Sequence, residues 1–212
     1  DVAAFRRYLH AQATSPAEEA ALAAKLIGRW PSGAPLILAP DHDDPELGVD
    51  PDQNNAFLYG DDPQGLACPI GSHARRMNPR DAMVTGVVRL HRLLRRGASY
   101  GPQLPEGVLD DDGADRGLLF AAVNANLARQ FEFVQGAWLA GTHFGGLHNE
   151  SDPLLGNRLP GPEGEPTNGF SMPTETGCNV QLPGLPQFVR VVGGAYFFLP
   201  GIRALRFLAK EP

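Results

Sequence analysis

At 212 residues, with a formal net charge of −6, 42% hydrophobic and 20% charged residues, the chain has the make-up of one large or two small globular domains. No run approaches 18 apolar residues, so no transmembrane helix and no membrane partner are expected. The negative balance argues against nucleic acid as a partner, because phosphate contacts need clustered Lys and Arg. Cys68 and Cys178 are too few for a disulfide scaffold, and one bridge or two free thiols both fit.

Asp1 opens directly on a helix-like run, with neither an initiator Met nor a signal peptide. The expectation is a fragment, a processed chain, or a chain whose earlier part is not shown. Residues 2–10 read as a short amphipathic helix. Ser15 then reads as an N-cap before Pro16, with Glu18 and Glu19 in the first turn, and the helix runs on through Ala20–Trp30 to stop at Pro31. Residues 31–72 are a long loop rich in Pro, Gly and Asp. Its stretch Asp41-His42-Asp43-Asp44-Pro45-Glu46 is a solvated acidic loop or a metal site, and its spacing matches no recognised ligand set.

An extended segment is expected around Leu93-Leu94-Arg95, and a buried strand at Leu118–Val123 between turn signals. Leu127, Phe131, Val134 and Trp138 give 124–139 one apolar helical face. Residues 141–187 return to Gly and Pro. Phe188–Val192 and Tyr196–Leu199 are strand candidates flanking Gly193-Gly194, and Ile202–Ala209 reads as a closing helix. There is no repeat and no sign of a second core. The order implies an α+β class with an antiparallel sheet covered by helices on one face. With 25 Gly and 20 Pro much of the chain must be irregular, and a cofactor bound only by the folded state would hold such loops in place.

The densest polar cluster is Cys68-Pro-Ile-Gly-Ser-His73-Ala-Arg75-Arg76-Met-Asn-Pro-Arg80. Neutral imidazole is a good iron ligand, and nearby guanidiniums suit carboxylates such as haem propionates. On chemistry alone, a surface histidine beside a phosphate-type site is the commoner outcome.

This segment resembles the proximal-histidine region of dye-decolorising (DyP-type) peroxidases. His91-Arg-Leu-Leu-Arg95-Arg96-Gly-Ala-Ser-Tyr100-Gly resembles that family's distal-arginine strand. Gly117-Leu-Leu-Phe120 with Gln130–Trp138, and Val191–Gly201, agree in order and spacing. The resemblance implies a ferredoxin-like antiparallel sheet with helices, the C-terminal domain of the DyP-type dimeric α+β barrel fold, over residues 1–212. It implies haem b as cofactor, with His73 as the iron ligand and Asp152 as the carboxylate that takes its other ring proton. Asp152 is otherwise a turn or helix N-cap before Pro153. Arg95 matches the distal arginine, a permanent charge for polarising peroxide, or else is a surface ion-pair residue. Arg76, and more weakly Arg75, match propionate anchors. Leu118 and Phe120 match the apolar distal wall, though plain core residues look the same. Tyr100, Trp138 and Tyr196 are candidates for carrying a radical to the surface. Cys68 is the lesser candidate for a haem ligand, and no Cys-x-x-Cys-His motif marks covalent attachment.

The family's Gly-x-x-Asp-Gly motif with the distal aspartate is absent from this sequence. Gly107–Gly113 comes near it but follows Arg95, and reads as an acidic turn. The resemblance therefore implies hydrogen peroxide and an organic reductant such as a dye or phenol as substrates, and a missing N-terminal half or second chain as partner. A homo-oligomer is also open, and the location is expected to be cytoplasmic. The alternatives are a non-catalytic haem-binding or haem-storage module, and a metal-independent domain whose arginines hold an anionic metabolite.

Overall fold

The computed structural model describes residues 1–84 and 86–210. Helix α1 (Val2–Gln12) is capped by Asp1, whose carboxylate accepts the Ala4 N–H at 2.8 Å. Helix α2 (Pro16–Ile27) starts as expected, with the Ser15 hydroxyl accepting the Glu18 N–H and Pro16 at the first position. It ends earlier than the apolar pattern suggests. Gly28 adopts φ 89°, and its N–H closes on Ala24 O, the left-handed cap that glycine adopts without steric cost.

The long loop that follows is largely irregular, with one short helix, α3 (Pro45–Val49). Its acidic run has structural tasks: Asp43 accepts from the Ser32 N–H and hydroxyl, and Asp44 caps α3 through the Leu47 N–H. Helix α4 (His73–Met77) is a single turn and carries the histidine of interest. A 3-10 turn spans Val88–His91.

The expected extended segment is β1 (Leu94–Arg95), followed by β2 (Ala98–Tyr100), β3 (Gly117–Leu119) and β4 (Ala122–Val123). β1 pairs with β4 and β2 with β3, both antiparallel. The Arg96 N–H donates to Ala121 O at 2.8 Å, so the two ladders are one interrupted hairpin. The helix expected at 124–139 forms over Ala128–Glu132 and Val134–Leu139, but with π winding. Glu132 N donates to Leu127 O and Ala140 N to Gln135 O, five residues back. Further on, β5 (Phe170–Met172) pairs with β6 (Val180–Leu182), in a stretch whose composition reads as loop, and α5 (Ile202–Leu208) closes the described chain.

Helices with antiparallel strand pairs make this an α+β chain. The described strands form three two-stranded pieces. Two expectations fail. Leu118–Val123 is exposed and breaks at Phe120-Ala121, and residues 188–192 and 196–199 form no ladder, leaving Val192, Phe197 and Phe198 almost wholly exposed.

Buried apolar residues form three clusters where the sequence suggests one core. Tyr8, Leu9, Leu22 and Leu26 of the two N-terminal helices pack on Phe170, Leu182, Leu185 and Phe188. Ala24, Trp30, Leu36, Phe57, Tyr59 and Cys68 gather the long loop. Val88, Val134, Trp138, Leu139 and Phe144 pack against Ile70 and Met77, and seat α4 on the π helix.

Candidate functional site: a histidine held by a buried carboxylate

Helix α4 is wedged between α2 and the π helix, and its first residue is His73. The preceding turn is fixed by the Ser72 hydroxyl, which donates to Lys25 O at 2.5 Å. His73 Nδ1 lies 3.0 and 3.1 Å from the two carboxylate oxygens of Asp152. The Asp152 side chain is fully buried, while that of His73 is 21% exposed. Burial alone would raise the Asp152 carboxyl. The facing His73, the Leu155 N–H and the Arg76 charge outweigh it and hold the group below the usual carboxylate range. An ionised Asp152 can only accept, so Nδ1 carries the proton and donates it. In the neutral ring Nε2 then presents its lone pair, and no described group hydrogen-bonds to it.

Asp152 serves two contacts at once. Its Oδ1 accepts the N–H of Leu154 and of Leu155, an Asx turn opening the Asp-Pro-Leu-Leu segment, while the same carboxylate holds His73. Sequence reasoning missed Arg158, whose guanidinium donates to the carbonyls of Asp152 and Pro153 and to the Ser151 hydroxyl. No motif marked it.

The two arginines expected as propionate anchors both turn inward in this structure. Arg75 is buried, bonded to Asp62 Oδ2 at 2.9 Å, Asp62 O and Cys68 O, and stacked over the Tyr59 ring at 4.5 Å. Arg76 is inaccessible, and its guanidinium donates to the carbonyls of Gly71, Trp138, Gly141 and Glu150. Burial pulls Arg76 down to about 10, and it stays charged at neutral pH. Both forks are turned inward because main-chain carbonyls at helix and loop ends need donors.

Arg95 sits on β1 opposite Ala122, exposed and without a side-chain hydrogen bond among the described residues. Leu118 and Phe120 are 64% and 41% exposed, so in this chain they lie on an open face of the hairpin. Cys68 is buried, and burial pushes its thiol up to about 11, so without a metal it stays protonated at neutral pH. A cleft of about 480 Å3, lined by Leu66, Ile70, Leu147, Ser171 and Asn179 among others, lies beside the segment and does not include His73.

A partly exposed imidazole with one nitrogen fixed on a buried carboxylate and the other without a partner has the arrangement of a pre-oriented metal-ligating histidine. That donor set fits the iron of a haem. The inward-turned Arg75 and Arg76 do not fit its propionates.

No family model matches the chain. It is 31% identical to a dye-decolorizing peroxidase of Mycena epipterygia over 89% of this chain and 40% of that protein. It is 34% identical to a multifunctional dye peroxidase of an Amycolatopsis species over 87% of this chain and 40% of the relative. The crystal structure of a decolorizing peroxidase from Auricularia auricula-judae superposes with a TM-score of 0.72 at 30% identity, covering 91% of this chain and 47% of that one. The chain belongs to the dye-decolorising peroxidase family, and spans about 40% of the length of the curated relatives it matches.

Proposed function

We propose that this chain is the haem-binding half of a hydrogen-peroxide-dependent peroxidase acting on organic donors such as dyes and phenols. The observation that carries the reading is the His73–Asp152 pair at 3.0 Å. When bound, haem b would supply the redox chemistry with peroxide. His73 holds the cofactor through Nε2. Asp152 accepts the Nδ1 proton without titrating, which fixes the ring and makes it a stronger electron donor. Arg95, free of internal partners among the described residues, offers a permanent positive charge to peroxide and to the negative charge that develops on oxygen. A proton-relaying acid would come from sequence outside this chain, in keeping with the fraction of the relatives that it spans.

The haem-storage alternative keeps His73 and Asp152 and needs no second acid. Haem titration followed by turnover separates the two. A Soret band at one haem per chain that His73→Ala abolishes supports ligation, and normal loading of that variant sinks it. Peroxide-dependent dye oxidation that needs Arg95 supports the enzyme reading. Loaded protein that stays inert with the rest of the family fold supplied leaves only storage.

A further inference from the structure

Arg76 stands at the junction of every element that places the histidine and its carboxylate. It lies one turn after His73 on α4, so its Cα is fixed relative to the imidazole. Its Nη1 donates to Trp138 O at 2.8 Å and to Gly141 O at 3.2 Å, at the C-terminal end of the π helix. The carbonyl between them in sequence, Leu139 O, accepts the N–H of Asp152 at 2.8 Å. Nη2 donates to Glu150 O at 2.5 Å, two residues before Asp152. Nε reaches back to Gly71 O, in the turn that leads into His73. The guanidinium also lies over the Phe144 ring at 5.1 Å, whose loop follows the π helix. One rigid fork therefore ties together the turn before His73, the helix end that holds the Asp152 amide, and the strand-like segment that leads into Asp152.

We propose that Arg76 is a positioning residue whose fork sets the His73–Asp152 geometry, and so fixes which imidazole nitrogen is bare. A lysine cannot take its place, because one ammonium lacks the planar fork that reaches four carbonyls in three segments. The π winding is part of the same arrangement. The helix ends with carbonyls that an ordinary helix would leave to water or to a cap, and Arg76 takes one of them, Trp138 O, together with Gly141 O just beyond the helix end. Four carbonyls losing one donor would free the Glu150–Asp152 segment to shift relative to α4, and a shift of about 1 Å turns a 3.0 Å contact into no hydrogen bond. The consequence for iron rests on the haem reading above; the geometric claim does not.

The first test therefore uses the haem-free chain. Long-range proton–nitrogen NMR of the His73 ring should show a single tautomer, with the proton on Nδ1, in the unchanged protein. Arg76→Lys and Arg76→Gln should give a mixture of tautomers or the Nε2–H form. Leu26→Ala, a cavity in the separate N-terminal cluster, should lower the melting temperature and leave the tautomer alone. A single Nδ1–H tautomer retained in both Arg76 variants overturns the proposal. If both variants fail to fold, the unchanged chain decides: the Arg76 Nε proton and the His73 Nδ1 proton should lose exchange protection in one opening event, and separate openings refute the coupling. With haem added, the Arg76 variants should lose about 10- to 100-fold in affinity, as outer-shell partners of ligating histidines do. Lost affinity with an unchanged tautomer would also count against it. Absence of haem binding in the unchanged chain would sink the functional reading and leave this one standing.

Discussion

His73 Nδ1 is held 3.0 Å from a carboxylate oxygen of Asp152, a residue 79 positions later whose side chain is fully buried. Removing that carboxylate strips the ring of its anchor and leaves the Leu154 and Leu155 N–H groups without their acceptor. Asp152→Ala should therefore lower urea-unfolding stability by about 1–3 kcal/mol. Asp152→Asn, which keeps the acceptor oxygen, should cost less stability but still weaken haem binding about 10- to 100-fold. Equal haem affinity in the Asn variant would show the carboxylate charge to be irrelevant.

Arg75 and Asp62 form a buried ion pair that also satisfies the N–H of Ala67 and Cys68. Breaking one side of such a pair leaves an uncompensated charge in the interior. Arg75→Met should cost about 3–5 kcal/mol by denaturant titration. A loss below about 1 kcal/mol would mean that Asp62 finds water in the folded state.

Cys68 is buried, and burial lifts its thiol from 9.0 to about 11, while Cys178 is exposed. A thiol-specific reagent should label one equivalent rapidly at pH 8 and a second only on unfolding. The sign follows from linkage. The folded state favours the protonated thiol, so the contribution of Cys68 is complete below pH 9 and declines as pH rises toward about 11. Cys68→Ser should remove that decline.

Gly28 has φ 89°, and a Cβ placed there would stand 3.0 Å from the Ala74 Cβ on α4. Gly28→Ala thus combines a left-handed alanine with a clash one residue from His73. We expect a loss of more than about 1 kcal/mol in stability, together with weaker haem loading. Haem loading that is unaffected would show that α2 can yield without moving α4.

Phe197 and Phe198 are 88% and 87% exposed, and Val191, Val192 and Leu199 beside them in the chain are at least 73% exposed. Apolar side chains exposed to this degree favour association. The isolated chain should show concentration-dependent self-association in light scattering. Phe197→Gln with Phe198→Ser should reduce it at less than about 0.5 kcal/mol in stability, as expected for exposed positions.

Several elements are legible from local chemistry alone. Ser15-Pro16 with Glu18 sets the start of α2, and the periodicity of Leu127, Val134 and Trp138 marks a helix, because caps and faces are decided within one or two turns. The helix stop at Gly28 is equally local, yet the apolar pattern continuing to Trp30 masks it. The strands at 170–172 and 180–182 are hidden among Gly and Pro, while the apolar runs at 188–192 and 196–199 look like strands and form none. A ladder depends on a partner distant in sequence, and run composition does not report one.

By itself the sequence determined that His73 is flanked by Gly-Ser and Arg-Arg, that an Asp-Pro turn follows at 152, and that the ordered segments resemble one peroxidase family. Only the tertiary structure decided that Asp152 reaches Nδ1, that Arg75 and Arg76 point inward, and that Arg95, Leu118 and Phe120 lie on an open hairpin. The physical reason is long-range. Side-chain direction is set by which carbonyls and carboxylates the fold leaves unpaired in its interior, and those of Trp138, Gly141 and Glu150 lie more than 60 residues from the arginine that satisfies them.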